Sequence, residues 1–266
     1  MAHEYTRVTV SVTDGIFTLT LNHPEALNAV SKAMIRDITA AVTQAEDPAT
    51  GARCLLITGA GRGFCAGANL ADPEGLADDG VPDVGRVLED WYNPLFKRLR
   101  DLKMPIVTAI NGPAAGVGMS FALMGDVSVA ARSASFLQAF AKIGLVPDGG
   151  SSWLLPRLVG RARALELALL AEKLPAEKAA EWGLITKVVD DAELMPTALA
   201  YAKKLANGPT VTLGYIRKMM HASFESSFDQ QLDLERQLQR AAGQTADFQE
   251  GVAAFLQKRP AAFKGK

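Results

Sequence analysis

Histidine and cysteine are scarce in this chain, with three of the first and two of the second among 266 residues. Two cysteines, Cys54 and Cys65, cannot form a disulfide framework, which points to a reducing, cytoplasmic setting. None of His3, His23 and His221 has a His or Cys neighbour at ligand spacing, which argues against a metal site. No apolar run reaches the roughly 18 residues of a membrane span. The opening MAHEYTRVTVSVTDG lacks the basic-then-apolar order of a signal peptide. Charge of one sign is also lacking: the net charge is -1, so neither nucleic acid nor another polyanion is an expected partner. A soluble protein attached to no membrane is the expectation. Acids thin out in the middle of the chain as well, where Asp126 and Asp148 alone lie between Asp101 and Glu166.

What is present reads as an α/β layered protein. RVTVSV (7–12) and IFTLTL (16–21) alternate around Thr13-Asp14-Gly15, the pattern of a β-hairpin. Ser31 is placed to cap a helix over KAMIRDITAAVTQAE. CLLIT (54–58), PIVTAI (105–110) and DVSVAA (126–131) are short apolar strands, the first two running into glycine-rich turns. Residues 71–86 combine turn formers with five acids, which predicts a mobile surface loop, either solvated or acting as a flap. The 87–102 run has helical periodicity with Pro94 as its kink. From Ser151 the chain reads mainly as helix, interrupted by a strand at LITKVV (184–189) and closed by three amphipathic helices between about 191 and 257.

Several motifs come close to known chemistry and stop short. GAGRGF after a strand needs a glycine at 64 to complete a dinucleotide fingerprint, and the chain has Phe64. GMSFA (118–122) approaches a nucleophile elbow but ends in Ala122, leaving Ser120, Asp148 and His221 as a weak hydrolase alternative. The turns FCAGAN and AAGVG each follow a strand and use residues small enough for a ligand to reach the backbone. One N–H from each would suit an enolate or tetrahedral oxyanion; taken alone, either turn is better explained by tight strand-to-helix packing. Asp148 itself reads either as a turn or helix-capping aspartate or as a functional acid.

Taken together, LNHPEALNA (21–29), ITGAGRGFCAGANL (57–70), AINGPAAGVG (109–118), FAKIGLVPDGGSSWLLPRLVG (140–160), EWGLITKVV (181–189) and EGVAAFLQKRPAAF (250–263) resemble, in order, the motifs of the crotonase, or enoyl-CoA hydratase/isomerase, superfamily. The resemblance implies an α/β fold, a crotonase-like ββα superhelix: a spiral acyl-CoA-binding core over 1–195, then a helical oligomerisation region over 196–266. It implies a homotrimer or dimer of trimers, and an acyl-CoA substrate with no separate cofactor. The thioester oxygen would sit between the N–H groups of Ala68 and Val117. Coenzyme A would lie along Ala26, Leu27, Ala66, Gly67, Asn69, Leu70 and Gly116, with Phe263 and Lys264 reaching a CoA in a neighbouring subunit. Trp91, Tyr92, Phe136 and Phe140 would line an acyl pocket or simply fill the core.

The departures from the family pattern are informative. Hydratases of the family use two glutamates to activate water, and their positions here hold Ser120 and Phe140. Asp148 remains, at a position where isomerase branches carry their proton-transferring carboxylate, and where a dehalogenase branch carries a nucleophile. The wording around RGFCAGANL and QAFAKIGLVPDGGSSWLLPRLVGRARA is most similar to the phenylacetate-degradation branch, which isomerises ring-1,2-epoxyphenylacetyl-CoA to an oxepin-CoA. That resemblance implies isomerisation with Asp148 as the single base. A Δ3,Δ2-enoyl-CoA isomerase or hydratase-like enzyme of fatty-acid oxidation is the alternative, and a thioesterase or a silent CoA-binding protein lies outside that class. The pKa of Asp148 is pulled two ways, up by apolar neighbours Leu145, Val146 and Trp153 and down by the following helix N-terminus.

Overall fold

The computed structural model describes residues 3–70 and 83–266. It opens on the expected hairpin, β1 (Val8–Thr13) and β2 (Ile16–Leu21), in antiparallel register from Val8 opposite Leu21 to Thr13 opposite Ile16. Asp14 and Gly15 both take positive φ, 52° and 74°, which gives the turn the twist that a two-residue hairpin loop needs. Ser31 then caps α1 (Lys32–Glu46) by accepting the Met34 N–H at 3.2 Å. Strand β3 (Cys54–Gly59) returns parallel to β2.

The predicted loop over 71–86 lies mostly outside the described residues. Its last part is corrected: Val84–Val87 form the short helix α2, because Asp83 caps it through the Arg86 N–H at 2.9 Å. A π-helical turn, Leu88–Tyr92, follows, and then α3 (Asn93–Asp101). Pro94 has no N–H to give to the preceding turn, so the ladder widens there, as the predicted kink requires.

Next come β4 (Ile106–Ile110), β5 (Pro113–Ala115), α4 (Val117–Ala122), β6 (Val127–Ala131) and β7 (Ser135–Leu137). Helix α5 (Ser151–Leu170) bends at Gly160, where φ/ψ is 79°/160°. β8 (Leu174–Pro175), α6 (Ala176–Glu181) and β9 (Lys187–Val189) complete the layered part. One sheet has the order β1-β2-β3-β4-β6-β9, parallel except for the hairpin; the second is β5-β7-β8. The strand predicted over 184–189 is shorter than expected. Leu184 donates to Ala179 O and Gly183, at φ 77°, to Ala180 O, so Leu184 and Ile185 serve as the apolar close of the α6 C-terminus rather than as sheet residues.

Four helices, not three, follow: α7 (Leu194–Ala206), α8 (Thr210–Ala222), α9 (Phe228–Ala242) and α10 (Ala246–Leu256). Gly208-Pro209 separates the first two, and Ser227 starts α9 with a reciprocal capping box. Helix α7 covers the large sheet at β3, β4 and β6 with Ala198, Ala202 and Ala206 buried. Helix α8 is tied to the core by Arg217, which is 6% exposed and donates to Asp126 Oδ2 at 2.6 Å and to the carbonyls of Leu102 and Leu99. Among the described residues no helix is long and apolar enough to cross a membrane.

Candidate active site

Strands β3 and β4 run side by side and in parallel, so the turns that leave them start from the same edge of the sheet. Backbone bonds then join the two turns. Cys65 N–H donates to Pro113 O at 3.1 Å, and Ala115 N–H donates to Cys65 O at 2.9 Å. Beyond this bridge the glycines come face to face. Gly67 has φ 105° and Gly116 φ 50°, and a Cβ on Gly116 would lie 3.9 Å from Gly67 Cα. Only glycine meets both the backbone conformation and the close approach at Gly67, where a Cβ would press on Ala115 O at 3.0 Å.

The residue after each glycine carries an N–H outside these bonds. Val30 N–H donates to Gly67 O at 2.7 Å and Asn69 N–H donates to Val30 O at 2.8 Å. In such a parallel bridge the intervening residue, Ala68, turns its own N–H to the other side. Val117 is the first residue of α4, so its N–H has no partner inside the helix. Among the described residues neither N–H finds a protein acceptor. Two donors on touching turns, one of them at a helix N-terminus, form a seat for an oxygen that gains negative charge.

The 22–30 loop is stitched to the same place. Ala66 N–H donates to Leu27 O at 2.9 Å, which brings Ala26, Leu27 and Ala66 together. Asn28, fully buried and at φ 57°, accepts the His23 N–H and donates to Ala60 O at 2.9 Å and Gly63 O at 2.8 Å. Asn111 does the same from the other turn, accepting the Gly59 N–H and donating to Gly61 O. Both asparagines are structural members of the site that the sequence reasoning missed. For Asn111 the signal was the Asn-Gly-Pro run in AINGPAAGVG, while Asn28, between Leu27 and Ala29, carries no such local signal.

Asp148 sits at the start of α5, and its side chain does not cap that helix. The N-cap is Gly150, without a side-chain bond. Instead the Asp148 main-chain carbonyl accepts the Ser151 N–H at 3.0 Å, the Ser151 hydroxyl at 2.8 Å and the Ser120 hydroxyl at 3.0 Å. The carboxylate accepts no hydrogen bond from the described residues, and its Oδ1 is buried without a partner. Burial therefore acts unopposed and pushes the Asp148 pKa up to about 6. Leu145 and Val146, 37% and 78% exposed, contribute little to that enclosure. The next residue, Gly149, is packed on Ser120 and Phe96: a Cβ there would lie 2.7 Å from Ser120 Cβ and 2.9 Å from Phe96 Cζ.

The aromatic candidates separate. Phe140 is buried with its ring edge 3.8 Å from where a Gly116 Cβ would lie, beside the glycine turns. Phe136 is fully buried in β7, opposite Ala114 and Leu174. Tyr92 is buried, while Trp91 packs on α1 under the cations of Lys32 and Arg36, 5.7 and 5.9 Å from its ring. Leu70 is 73% exposed at the end of the FCAGAN turn. Phe263 and Lys264 are held apart from all of these. Phe263 O accepts from Arg53, and the Lys264 N–H donates to Asp247 at 2.6 Å. Arg53 precedes β3 and so lies one strand length, roughly 20 Å, from the Gly59 turn.

Ser120, Asp148 and His221 do not form a hydrolytic triad. The Ser120 hydroxyl is spent on a main-chain carbonyl, and the His221 ring packs near Trp153 at 6.4 Å between centroids. A cavity of about 810 Å³ lies between α3, α5 and α8 around Trp153 and His221, away from the glycine turns. A smaller one of about 270 Å³ reaches Gly149 and Gly150, directly after Asp148.

The sequence model of the family Enoyl-CoA hydratase/isomerase matches residues 11–266. The chain belongs to that family. It is 51% identical over 255 residues to the 1,2-epoxyphenylacetyl-CoA isomerase of Escherichia coli, covering 96% of this chain and 97% of that one. It is 43% identical over 264 residues to a Rhodobacter capsulatus protein named "Probable enoyl-CoA hydratase", covering 98% of this chain and 99% of that one. The fold matches the crystal structure of an enoyl-CoA hydratase from Bacillus anthracis with a TM-score of 0.91 at 28% identity, over 98% of this chain and 100% of that one. Membership makes this an acyl-CoA enzyme with the crotonase fold, as the ordered motifs implied.

Proposed function

We propose that this enzyme is an acyl-CoA isomerase acting on 1,2-epoxyphenylacetyl-CoA, with Asp148 as its single proton-transferring base. The observation that carries the reading is the Asp148 carboxylate: desolvated, free of donors and poised near neutral pH. Ala68 and Val117 N–H groups hold the thioester oxygen as it takes on enolate character, each worth about 3 kcal/mol in the transition state. Asp148 then removes a proton from the acyl α-carbon and returns it at a ring carbon, while the carbon–carbon bond of the epoxide opens to give the seven-membered oxepin ring, so substrate and product share one formula and no water is consumed.

Hydration needs a second group to hold and activate water. Ser120 donates its hydroxyl to a carbonyl and Phe140 covers Gly116, so neither residue offers a base. This counts against the hydratase name of the Rhodobacter relative as a description of this chain, and the Escherichia relative supports the epoxide as substrate. Coenzyme A would run along Ala26, Leu27, Ala66, Gly67, Asn69, Leu70 and Gly116. The fixing of Phe263 and Lys264 far from their own turns suits a role at a neighbouring subunit. Phe228, Phe255 and Leu256, 77%, 82% and 74% exposed on α9 and α10, support a trimer or dimer of trimers built through those helices.

The test is to assay 1,2-epoxyphenylacetyl-CoA and a 3-enoyl-CoA side by side with wild type and Asp148→Asn, with a thiol dye present. Turnover of the epoxide that falls at least a hundredfold in the variant, without thiol release, is the expected result. Turnover of the enoyl substrate alone overturns the substrate, activity within tenfold of wild type in Asp148→Asn overturns the base, and thiol release makes the enzyme a thioesterase.

A further inference from the structure

Asp148 is followed by two glycines in the left-handed region, Gly149 at φ 58° and Gly150 at φ 79°. Such a pair leaves the backbone free to take other conformations, and among the described residues the carboxylate has no hydrogen-bond partner to hold it. A base that must meet an acyl carbon within a fraction of an ångström therefore needs its position fixed through the main chain. The Asp148 carbonyl is where the bonds converge. The Ser151 N–H and hydroxyl reach it from α5, within three residues of it in the chain. Ser120 reaches it from α4, twenty-eight residues away, at 3.0 Å and with the residue wholly buried.

That last bond differs in kind from the other two. Those from Ser151 fix the start of α5 to itself, and would be kept if the whole turn moved. The Ser120 bond ties the turn to the helix that begins at Val117, the residue whose N–H belongs to the oxygen seat. Ser120 N–H in turn donates to Gly116 O at 3.3 Å. A short path of backbone and one hydroxyl thus connects the anion-binding N–H to the acid. The small Ser120 side chain also lets Gly149 approach, since a Cβ on that glycine would already crowd Ser120 Cβ.

We infer that Ser120 is a positioning residue, whose hydroxyl holds the Asp148 carbonyl and thereby sets the carboxylate at a fixed place relative to the Gly116–Val117 turn. The inference rests on the isomerase reading above. In it, Ser120 touches no substrate atom and moves no proton. It leaves the carboxylate free of donors while fixing where it stands, which a direct bond to the carboxylate would not do.

The experiment measures deuterium exchange into the carbons of 1,2-epoxyphenylacetyl-CoA and its product in D₂O, with kcat, KM, the pH profile and the thermal midpoint, for Ser120→Ala, Ser120→Cys, Ser120→Thr and Asp148→Asn. Alanine and cysteine remove the strong donor at little change in volume and are expected to lower kcat ten- to a hundredfold, with KM within twofold. Their acid limb should move below that of wild type as the loosened carboxylate meets water. Threonine keeps the hydroxyl and should recover most of kcat wherever its thermal midpoint shows it folded. If alanine and cysteine both keep kcat within twofold and an unchanged acid limb, while Asp148→Asn is inactive, the positioning role is wrong and the isomerase reading stands. Retention of exchange by Asp148→Asn overturns both.

Discussion

Gly118 in the first turn of α4 lies directly on Cys65 of the preceding glycine-rich turn. A Cβ at position 118 would overlap the Cys65 carbonyl oxygen and stand 2.8 Å from Cys65 Cβ. The carbonyl it would displace is the one that accepts the Ala115 N–H and so joins the two turns. Gly118→Ala is therefore expected to part Ala68 from Val117. A shift of about 1 Å at such a site costs on the order of a hundredfold in rate, so kcat/KM in steady-state assays should fall by that order.

With Asp148 as the proposed base, its titration should set the acid limb of the rate profile. With its pKa raised to about 6 by burial, the carboxyl is protonated and useless as a base below that pH. kcat/KM should fall tenfold for each pH unit below about 6 and level off above it. A profile still flat at pH 5 would contradict the desolvated acid.

The same burial has a stability signature. The folded pKa of Asp148 is raised from 3.8, so the native state holds the proton more tightly than the unfolded chain. The sign follows: the contribution of Asp148 to stability is fully present below about pH 4 and is lost as pH rises through 6. Asp148→Asn does not ionise. Relative to wild type it should gain up to about 3 kcal/mol between pH 4 and pH 8, measured by urea unfolding at both pH values, while losing activity.

Arg217 anchors α8 through Asp126 and the last turn of α3, at 6% exposure. Arg217→Ala strands the Asp126 carboxylate, which keeps only the Ile106 N–H at 2.7 Å, and leaves two carbonyls short of a donor. The loss should be about 3–5 kcal/mol in chemical denaturation. Lysine cannot reproduce the fork and should recover less than half of it.

Arg53 holds the C-terminal tail through Phe263 O and ties it to the start of α8 through Thr210 Oγ1 at 2.9 Å and Gly208 O. If the tail serves a neighbouring subunit's coenzyme, Arg53→Ala should raise KM for acyl-CoA several-fold and leave kcat near wild type. An unchanged KM would detach the tail from substrate binding.

What the sequence revealed was what short-range chemistry decides. The hairpin needs only alternation around Asp14-Gly15, the α1 cap needs only Ser31 three residues before Met34, and the glycine turns announce themselves by composition. The readings that failed depended on partners elsewhere. Leu184 and Ile185 have the apolar character of a strand, but Ala179 and Ala180 claim the N–H groups beside them. Asn28 and Asn111 look like ordinary turn residues until the carbonyls of Ala60, Gly61 and Gly63 lie within reach.

Asp148 was legible as the lone acid of its stretch, and its environment was not. Leu145 and Val146 are its apolar neighbours in sequence, yet they face outward, while Ser120 and Phe96 enclose the turn from distant parts of the chain. No local pattern reports that a carboxylate will end up without a single donor. The balance between burial and the helix N-terminus could be struck only once both sides were in place.

The bridge between Cys65 and Ala114 carries an evolutionary implication. The Ala68 and Val117 N–H groups belong to the main chain and are spaced by main-chain bonds, so substitutions that spare the close-packed Gly67, Gly116 and Gly118 leave them in place. The side chains at positions 120, 140 and 148 take no part in that bridge, although the Ser120 hydroxyl ties 120 to 148, so they can change without breaking it. A lineage can thus exchange the acid, its location or its very presence while retaining the grip on a thioester, and new reactions need not rediscover how to hold the substrate.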